Sequence, residues 1–170
     1  MDLRFVAPSL RRLDLAGAEV LVCCLVQGER PPGGVAGLID WRFSGKLSRL
    51  LLRGFVTGEL GEVVLLPGRP KLPFDKLLFF GLGEAKGFDE RVYRMTVERI
   101  LERLAGLNTR RAVVELPGRA GELISAERAA AVLLEITEER PEHDSWTLVE
   151  SPETQRVIQK LWALDRRRQA

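Results

Sequence analysis

Histidine is almost missing from this chain. Among 170 residues there is one, His143, in the polar stretch Glu138–Asp144, with neither a second histidine nor a cysteine at ligand spacing. Zinc sites are built from several His or Cys ligands held close together, so no metal site is expected. A serine nucleophile with a histidine base has no support either, because no serine sits in a recognisable elbow. His143 is expected to be a solvated loop residue. Cysteine is scarce too: the only two, Cys23 and Cys24, are adjacent inside an apolar run. A disulfide between chain neighbours would strain the peptide, and free cysteine packs as a small hydrophobe. Both are therefore expected as buried thiols in a strand.

Long hydrophobic runs are also lacking, since no apolar stretch approaches the roughly 20 residues that span a bilayer. The opening MDLRFVAPSLRR has no apolar run after a basic start and reads as neither a secretory signal nor an anchor. No membrane is expected as a partner, and the expected location is the cytoplasm. Charge of one sign is missing as well: 26 basic and 24 acidic residues leave a net charge of +2, which gives nucleic acid no general attraction. The triplet Arg166-Arg167-Arg168 ends a predicted helix, where arginines complement the dipole, and no basic stripe accompanies it. Nucleic acid is not expected as a partner. What is present fits an ordinary globular chain, 45% hydrophobic and 29% charged. Its length fits one domain over residues 1–170, which would bury roughly 68–70% of the unfolded surface.

Six runs of strand length and apolar character occur at Leu3–Ala7, Glu19–Val26, Glu62–Leu66, Lys76–Phe80, Ala112–Leu116 and Trp146–Glu150, several bounded by Gly or Pro. Helical spacing fills the later gaps. Asp89 is a plausible N-cap for a helix with Tyr93, Val97, Ile100, Leu101 and Leu104 on one face, ending near Leu107, and Phe88 and Tyr93 are placed to staple its start. A second helix is expected from Ser125 through AERAAAVLLEIT. A third, over about 152–168, opens with Ser151 as cap and Pro152 as first residue. Strands alternating with helices predict an α/β fold, with a mixed, mostly parallel sheet covered by helices on both faces.

The middle of the chain, Ala36 to Gly61, is irregular. It reads as a short helix around Leu38–Phe43, a second around Leu47–Leu52 with Arg49 and Arg53 on its outer face, and a loop punctuated by Gly54, Gly58 and Gly61. Gly81 and Gly83 directly follow an apolar strand, where glycine permits a positive φ or a close backbone approach. Two phosphate motifs fail. Five positions before Gly45 stands Asp40, and Lys46 is followed by Leu47, so the Walker pattern is broken. Gly81, Gly83 and Gly87 lack the spacing of a dinucleotide fingerprint.

The order GKLSRLLLRGFVTGELGEVVLLPG, then LLFFGLGE, then FDERVYRMTVERILERL, covering Gly45 to about Leu107, resembles the amino-terminal domain of the leucyl aminopeptidase family. That resemblance implies a macro-domain-like three-layer sandwich. It also implies that peptidase chemistry belongs to a larger carboxy-terminal domain with two metal ions, whose Asn-Thr-Asp-Ala-Glu-Gly-Arg motif has no counterpart here: the nearest string, Asn108-Thr109-Arg110, has arginine where the metal-binding aspartate is needed. No catalytic residue carries over. The chain is expected to be no enzyme and to need no cofactor. Macro domains bind ADP-ribose near glycine-rich loops, and Pro31-Pro32-Gly33-Gly34-Val35-Ala36-Gly37-Leu38-Ile39 is similar to the macro-domain ligand loop. Gly33, Gly34, Val35 and Gly37 are accordingly the candidate ligand residues, with helix-start amides suited to a phosphate. Glu29 stands against an anion there, and a glycine turn between strand and helix is the preferred reading of the loop. Replacing Gly34 by a bulky residue is expected to abolish any such binding and leave the fold intact.

Three functional readings follow. The first is a free-standing interaction or regulatory module, since the family resemblance implies oligomers; its partner or self-association surface would include Trp41, Phe43, Arg49, Arg53 and Phe55, aromatics being favoured anchors. The second is a macro-like domain binding ADP-ribose or a related nucleotide. The third is the amino-terminal fragment of a metal-dependent aminopeptidase.

Overall fold

The computed structural model describes residues 2–138 and 145–169, with residues 166–169 given by backbone alone. His143 and the side chains of Arg166 to Arg168 therefore lie outside the described residues. The strands are β1 (Asp2–Val6), β2 (Ala18–Leu25), β3 (Val63–Pro67), β4 (Phe74–Gly81), β5 (Arg111–Val114) and β6 (Ser145–Val149). All six expected strands are present, shifted by one or two residues at their ends. The helices are α1 (Leu10–Ala16), α2 (Gly34–Arg42), α3 (Lys46–Leu52), α4 (Glu90–Gly106), α5 (Ala126–Glu138) and α6 (Pro152–Gln169).

The strands form one sheet in the order β1-β6-β5-β2-β4-β3. Every neighbouring pair is parallel except β3 with β4, which is antiparallel. The alternation of a pleated strand assigns the side chains to two cores. Val20 and Val22 of β2, Leu78 and Phe80 of β4, and Val114 of β5 face α4 and α5, where Tyr93, Val97, Ile100 and Leu133 meet them. Leu21 and Cys23, Leu77 and Phe79, and Val113 point the other way, onto Leu13 of α1, Val35 and Ile39 of α2, and Leu47 and Leu51 of α3. Two helical layers thus enclose the sheet. Residues as large as Phe74, Phe79 and Tyr93 are fully buried, each worth about 1.5–3 kcal/mol of apolar transfer.

Local signals explain most boundaries. The Asp89 side chain accepts the Val92 N–H at 2.9 Å, capping α4 as its sequence predicts. Ser151 Oγ accepts the Thr154 N–H at 3.3 Å ahead of α6. Helix α1 was not expected. It is seven residues long, buries only Leu13, and is announced by a single cap, Ser9, whose hydroxyl accepts the Arg12 N–H; one apolar position makes no periodicity. Helix α2 begins at Gly34, four residues earlier than its pattern suggests, because its first turn is stabilised from outside the segment. Cys23 is buried as expected, whereas Cys24 is only partly buried.

The two glycines at the end of β4 and just past it divide the roles expected of them. Gly83 takes φ +73°, while a Cβ on Gly81 would lie 2.0 Å from the Glu59 carbonyl oxygen. That neighbour is backbone and has little room to yield. Gly81→Ala should destabilise the protein by roughly 2 kcal/mol in urea unfolding, whereas Gly87→Ala, with nothing within 4 Å of its added carbon, should change stability by less than about 0.5 kcal/mol. Equal effects would contradict the packing described.

Candidate functional site

Because β1, β6, β5 and β2 are parallel, their carboxyl ends share one edge of the sheet, where open α/β folds place their ligand crevices. The loops there are residues 7–9, 26–33, 115–125 and 150–151. At their centre stands Glu115, just past β5 and 4% exposed. Its Oε1 accepts the Val35 N–H at 2.8 Å and its Oε2 accepts the Cys24 N–H at 3.0 Å. One carboxylate thereby joins the ends of β5 and β2 to the first turn of α2. Burial pushes its pKa up to about 7, against the pull of the Val35 and Cys24 amides and with added repulsion from Glu150 and Glu29.

Beside it, Glu150 at the end of β6 is also buried. Arg119 grips it with two nitrogens, Nε to Oε1 at 3.0 Å and Nη2 to Oε2 at 3.2 Å, while its Nη1 donates to the Ile124 carbonyl at 2.8 Å. This is a bidentate, charge-assisted pair with its hydrogen bonds in place. A cavity of about 260 Å³ opens here, lined by Pro8, Gly34, Glu115, Arg119, Glu150 and Thr154 among others. Burial and the Glu115 charge push the thiols of Cys23 and Cys24 well up, so neither supplies a thiolate at neutral pH.

The candidate ligand residues do come together in this crevice, but each has a task inside the fold. Gly33 caps α2 with its Cβ position 2.5 Å from Glu29 Oε1. Gly34 holds φ +57°, and a Cβ there would meet Glu115 Oε1 at 2.2 Å and the Ala120 methyl at 2.6 Å. Val35 gives its amide to Glu115 and its side chain to the core. Gly37 lets α2 approach the Pro32 carbonyl, 2.5 Å from its Cβ position. Replacing Gly34 would thus disturb the fold, contrary to the expectation stated above.

Trp41, Arg49, Arg53 and Phe55 are exposed on the far end of α2, on α3 and on the turn after it; Trp41 is 76% and Phe55 74% exposed. Phe43 is different, being half-buried against the core with Lys71 Nζ 5.7 Å from its ring centre. Leu52, the last residue of α3 and 67% exposed, was missed, as were Glu115, Arg119 and Glu150. An acid between Val114 and Leu116 at a strand end is a legible signal of a buried carboxylate. Nothing local indicates that Arg119 and Glu150, 31 positions apart, form a pair. Asp40, which breaks the Walker pattern, is buried and binds Ser48: Oδ1 accepts its N–H at 2.8 Å and Oδ2 its hydroxyl at 2.5 Å. It ties α2 to α3. Among the described residues, no group of three or more His, Cys, Asp or Glu is arranged to hold a metal ion, and no helix is long and apolar enough to cross a membrane.

The sheet order, the two helical layers and the crevice define a macrodomain-like α/β protein. Solved structures agree on the fold. A Trypanosoma brucei macrodomain in complex with ADP-ribose superposes with TM-score 0.70 at 19% identity, covering 94% of this chain and 67% of that one. A tomato leucine aminopeptidase variant gives 0.64 at 15% identity, covering 94% and 35%. In sequence, residues 23–140 match the family model of the cytosol aminopeptidase family, N-terminal domain; the chain belongs to that family. The probable cytosol aminopeptidase of Halorhodospira halophila is 34% identical over 126 residues, 71% of this chain and 25% of that protein. The chain thus spans about a quarter of the length of such a relative, and the match falls on the amino-terminal domain, not on the catalytic one.

The Glu115 clamp has a pH signature. The unfolded carboxyl titrates near its ordinary 4.5 and the folded one near 7, so the folded state holds the proton more tightly. Stability is then greatest below about 4.5 as far as this group is concerned, and falls by up to about 3 kcal/mol as pH rises to about 7 and beyond. Asp14, Asp75 and Glu90, whose carboxyls are held below the ordinary range by arginines, act oppositely and only in acid. Urea midpoints should therefore fall from pH 5 to pH 8 in the natural protein, and much of that slope should vanish in Glu115→Gln. Parallel slopes would show that Glu115 does not titrate there. Gly34→Ala should lower the midpoint at every pH, by roughly 2 kcal/mol.

Proposed function

We propose that this chain serves as a non-catalytic interaction module that binds protein surfaces, its own copies included, through the α2–α3 face. The observation that carries this reading is the exposure of three large apolar side chains, Trp41, Leu52 and Phe55, on one helix pair and its following turn. Exposed apolar patches are a mark of association, and tryptophan is a favoured anchor. Arg49 and Arg53 supply a polar rim beside them. The half-buried Phe43 supports that face from below, packed on the core.

The nucleotide reading draws support from the macrodomain neighbour whose structure holds ADP-ribose. The crevice weighs against it. A phosphate at the start of α2 would need the Val35 amide, which Glu115 already occupies, and would meet the Glu29 carboxylate at Gly33. Two carboxylates around the glycine loop repel an anion. The relation in length to the aminopeptidases supports a further reading, in which the chain is the amino-terminal part of a larger metal-dependent aminopeptidase located in the cytoplasm; native-size detection of the protein in its cells tests that.

ADP-ribose should leave the melting temperature unchanged, although a ligand at 100 times its dissociation constant would add roughly 2.7 kcal/mol. In sedimentation and chemical cross-linking the chain should associate with itself or with a captured protein. Trp41→Asp with Phe55→Asp should abolish that association without lowering the melting temperature, both side chains being exposed. A strict monomer that captures nothing, or a clear stabilisation by ADP-ribose, would overturn the proposal.

A further inference from the structure

A second surface, remote in sequence from the α2–α3 face, is built around the outer strand β1. Among the described residues this strand is the last in the sheet and pairs only with β6, Asp2 opposite Ser145 through Val6 opposite Val149. The Val6 carbonyl accepts the Glu150 N–H at 3.0 Å, so the main chain of Val6 is directed at β6. In a parallel pair, alternate residues of a strand direct their N–H and C=O to opposite sides. Leu3 and Phe5 therefore present theirs to the open edge.

That edge is not flush with the surface. A cleft of about 520 Å³ follows it, lined by Arg4 and Phe5 of β1, Arg12 and Leu15 of α1, and Gln155 of α6, among others. Its volume falls in the roughly 300–1,000 Å³ range of ligand sites. Among the described residues the lining includes two arginines and no carboxylate. Among the described residues Arg4 has an ion pair only with Asp2, at 3.4 Å with both side chains mostly exposed, a contact that contributes little. Arg12 has no ion pair among the described residues. Some other arginines are paired, Arg94 and Arg128 with Glu90 and Glu135 and Arg42 with Asp14; what distinguishes Arg4 and Arg12 is that both line one cleft.

Charged residues on an edge strand commonly serve to repel other strands. Two features separate this edge from a guarded one. The second arginine comes from α1, across the cleft, and Leu15 stands beside it 74% exposed, which leaves an apolar contact open. We propose that the β1 edge and its cleft bind an acidic segment of a partner protein, added to the sheet as an extended strand. Main-chain pairing with Leu3 and Phe5 would supply the general affinity, and Arg4 and Arg12 would select carboxylates over other side chains.

Fluorescence anisotropy with a labelled peptide of alternating Glu and Val tests this. The peptide should bind saturably to the whole chain. Its Lys-for-Glu counterpart should bind at least about tenfold more weakly, the scale of one or two charge-assisted hydrogen bonds. Methylation of alternate peptide nitrogens, which removes the donors for strand pairing, should abolish binding. Arg4→Glu with Arg12→Glu, both exposed positions, should weaken it at least about tenfold with no change in melting temperature. The Trp41→Asp and Phe55→Asp variant should bind the peptide normally, so that failure here and failure of the α2–α3 reading remain distinguishable. Absence of saturable binding, equal binding of the lysine peptide, or unimpaired binding of the methylated one would overturn the proposal. So would dimerisation that Arg4→Glu abolishes, because the edge would then belong to a second copy.

Discussion

A carboxylate kept from water holds the loop end of this sheet together. Glu115 gives one oxygen to the Cys24 amide and the other to the Val35 amide, so β5, β2 and α2 meet at a single side chain. The arrangement makes demands on its surroundings. Gly34 must have no side chain, because any Cβ would strike Oε1. Val35 must begin a helix there, because its amide is already satisfied from across the sheet. The buried charge raises its own pKa, and the next acid, Glu150, is neutralised by Arg119.

Such a clamp changes the meaning of a glycine loop at a helix start. In general these amides attract anions; here the anion is part of the chain. The fold is that of macrodomains, but a fold does not specify a function, which rests on the chemistry of particular sites. In this protein the crevice is occupied by its own carboxylates, while the unmatched chemistry lies on the outside. Trp41, Leu52 and Phe55 stand exposed, and Arg12 has no ion pair among the described residues. The charged surface between α4 and α5 makes an instructive contrast, since Glu90, Arg94, Arg128 and Glu135 satisfy one another.

Much of the fold was legible from local pattern. The six strands, the Asp89 cap and the α4, α5 and α6 stripes rest on interactions within a few residues or on simple alternation, both of which a linear reading captures. Helix α1 was not legible because a seven-residue helix with one buried leucine has no period to detect. The early start of α2 was not legible because the group that stabilises it lies 80 positions away. The glycine loop was legible as a motif, but its contact with Glu115 was not, since that glutamate is hidden in an apolar strand end.

By itself, then, the sequence determined the class of fold, the number and type of its main elements, the family to which they belong, and the scarcity of histidine and cysteine chemistry. The elements and the scarcity follow from composition and from periodicities of two and 3.6 residues, while the family is what the order of motifs from Gly45 to Leu107 resembles. Only the tertiary structure decided that Glu115 closes the loop beside Gly34, that Arg119 and Glu150 pair, that Phe43 leans on the core while Trp41 and Phe55 do not, and that β1 lies open at the edge. Each of these depends on residues distant in the chain being brought within hydrogen-bonding reach or left uncovered. Strand order sets those distances, and it is chosen by the packing of two helical layers on one sheet.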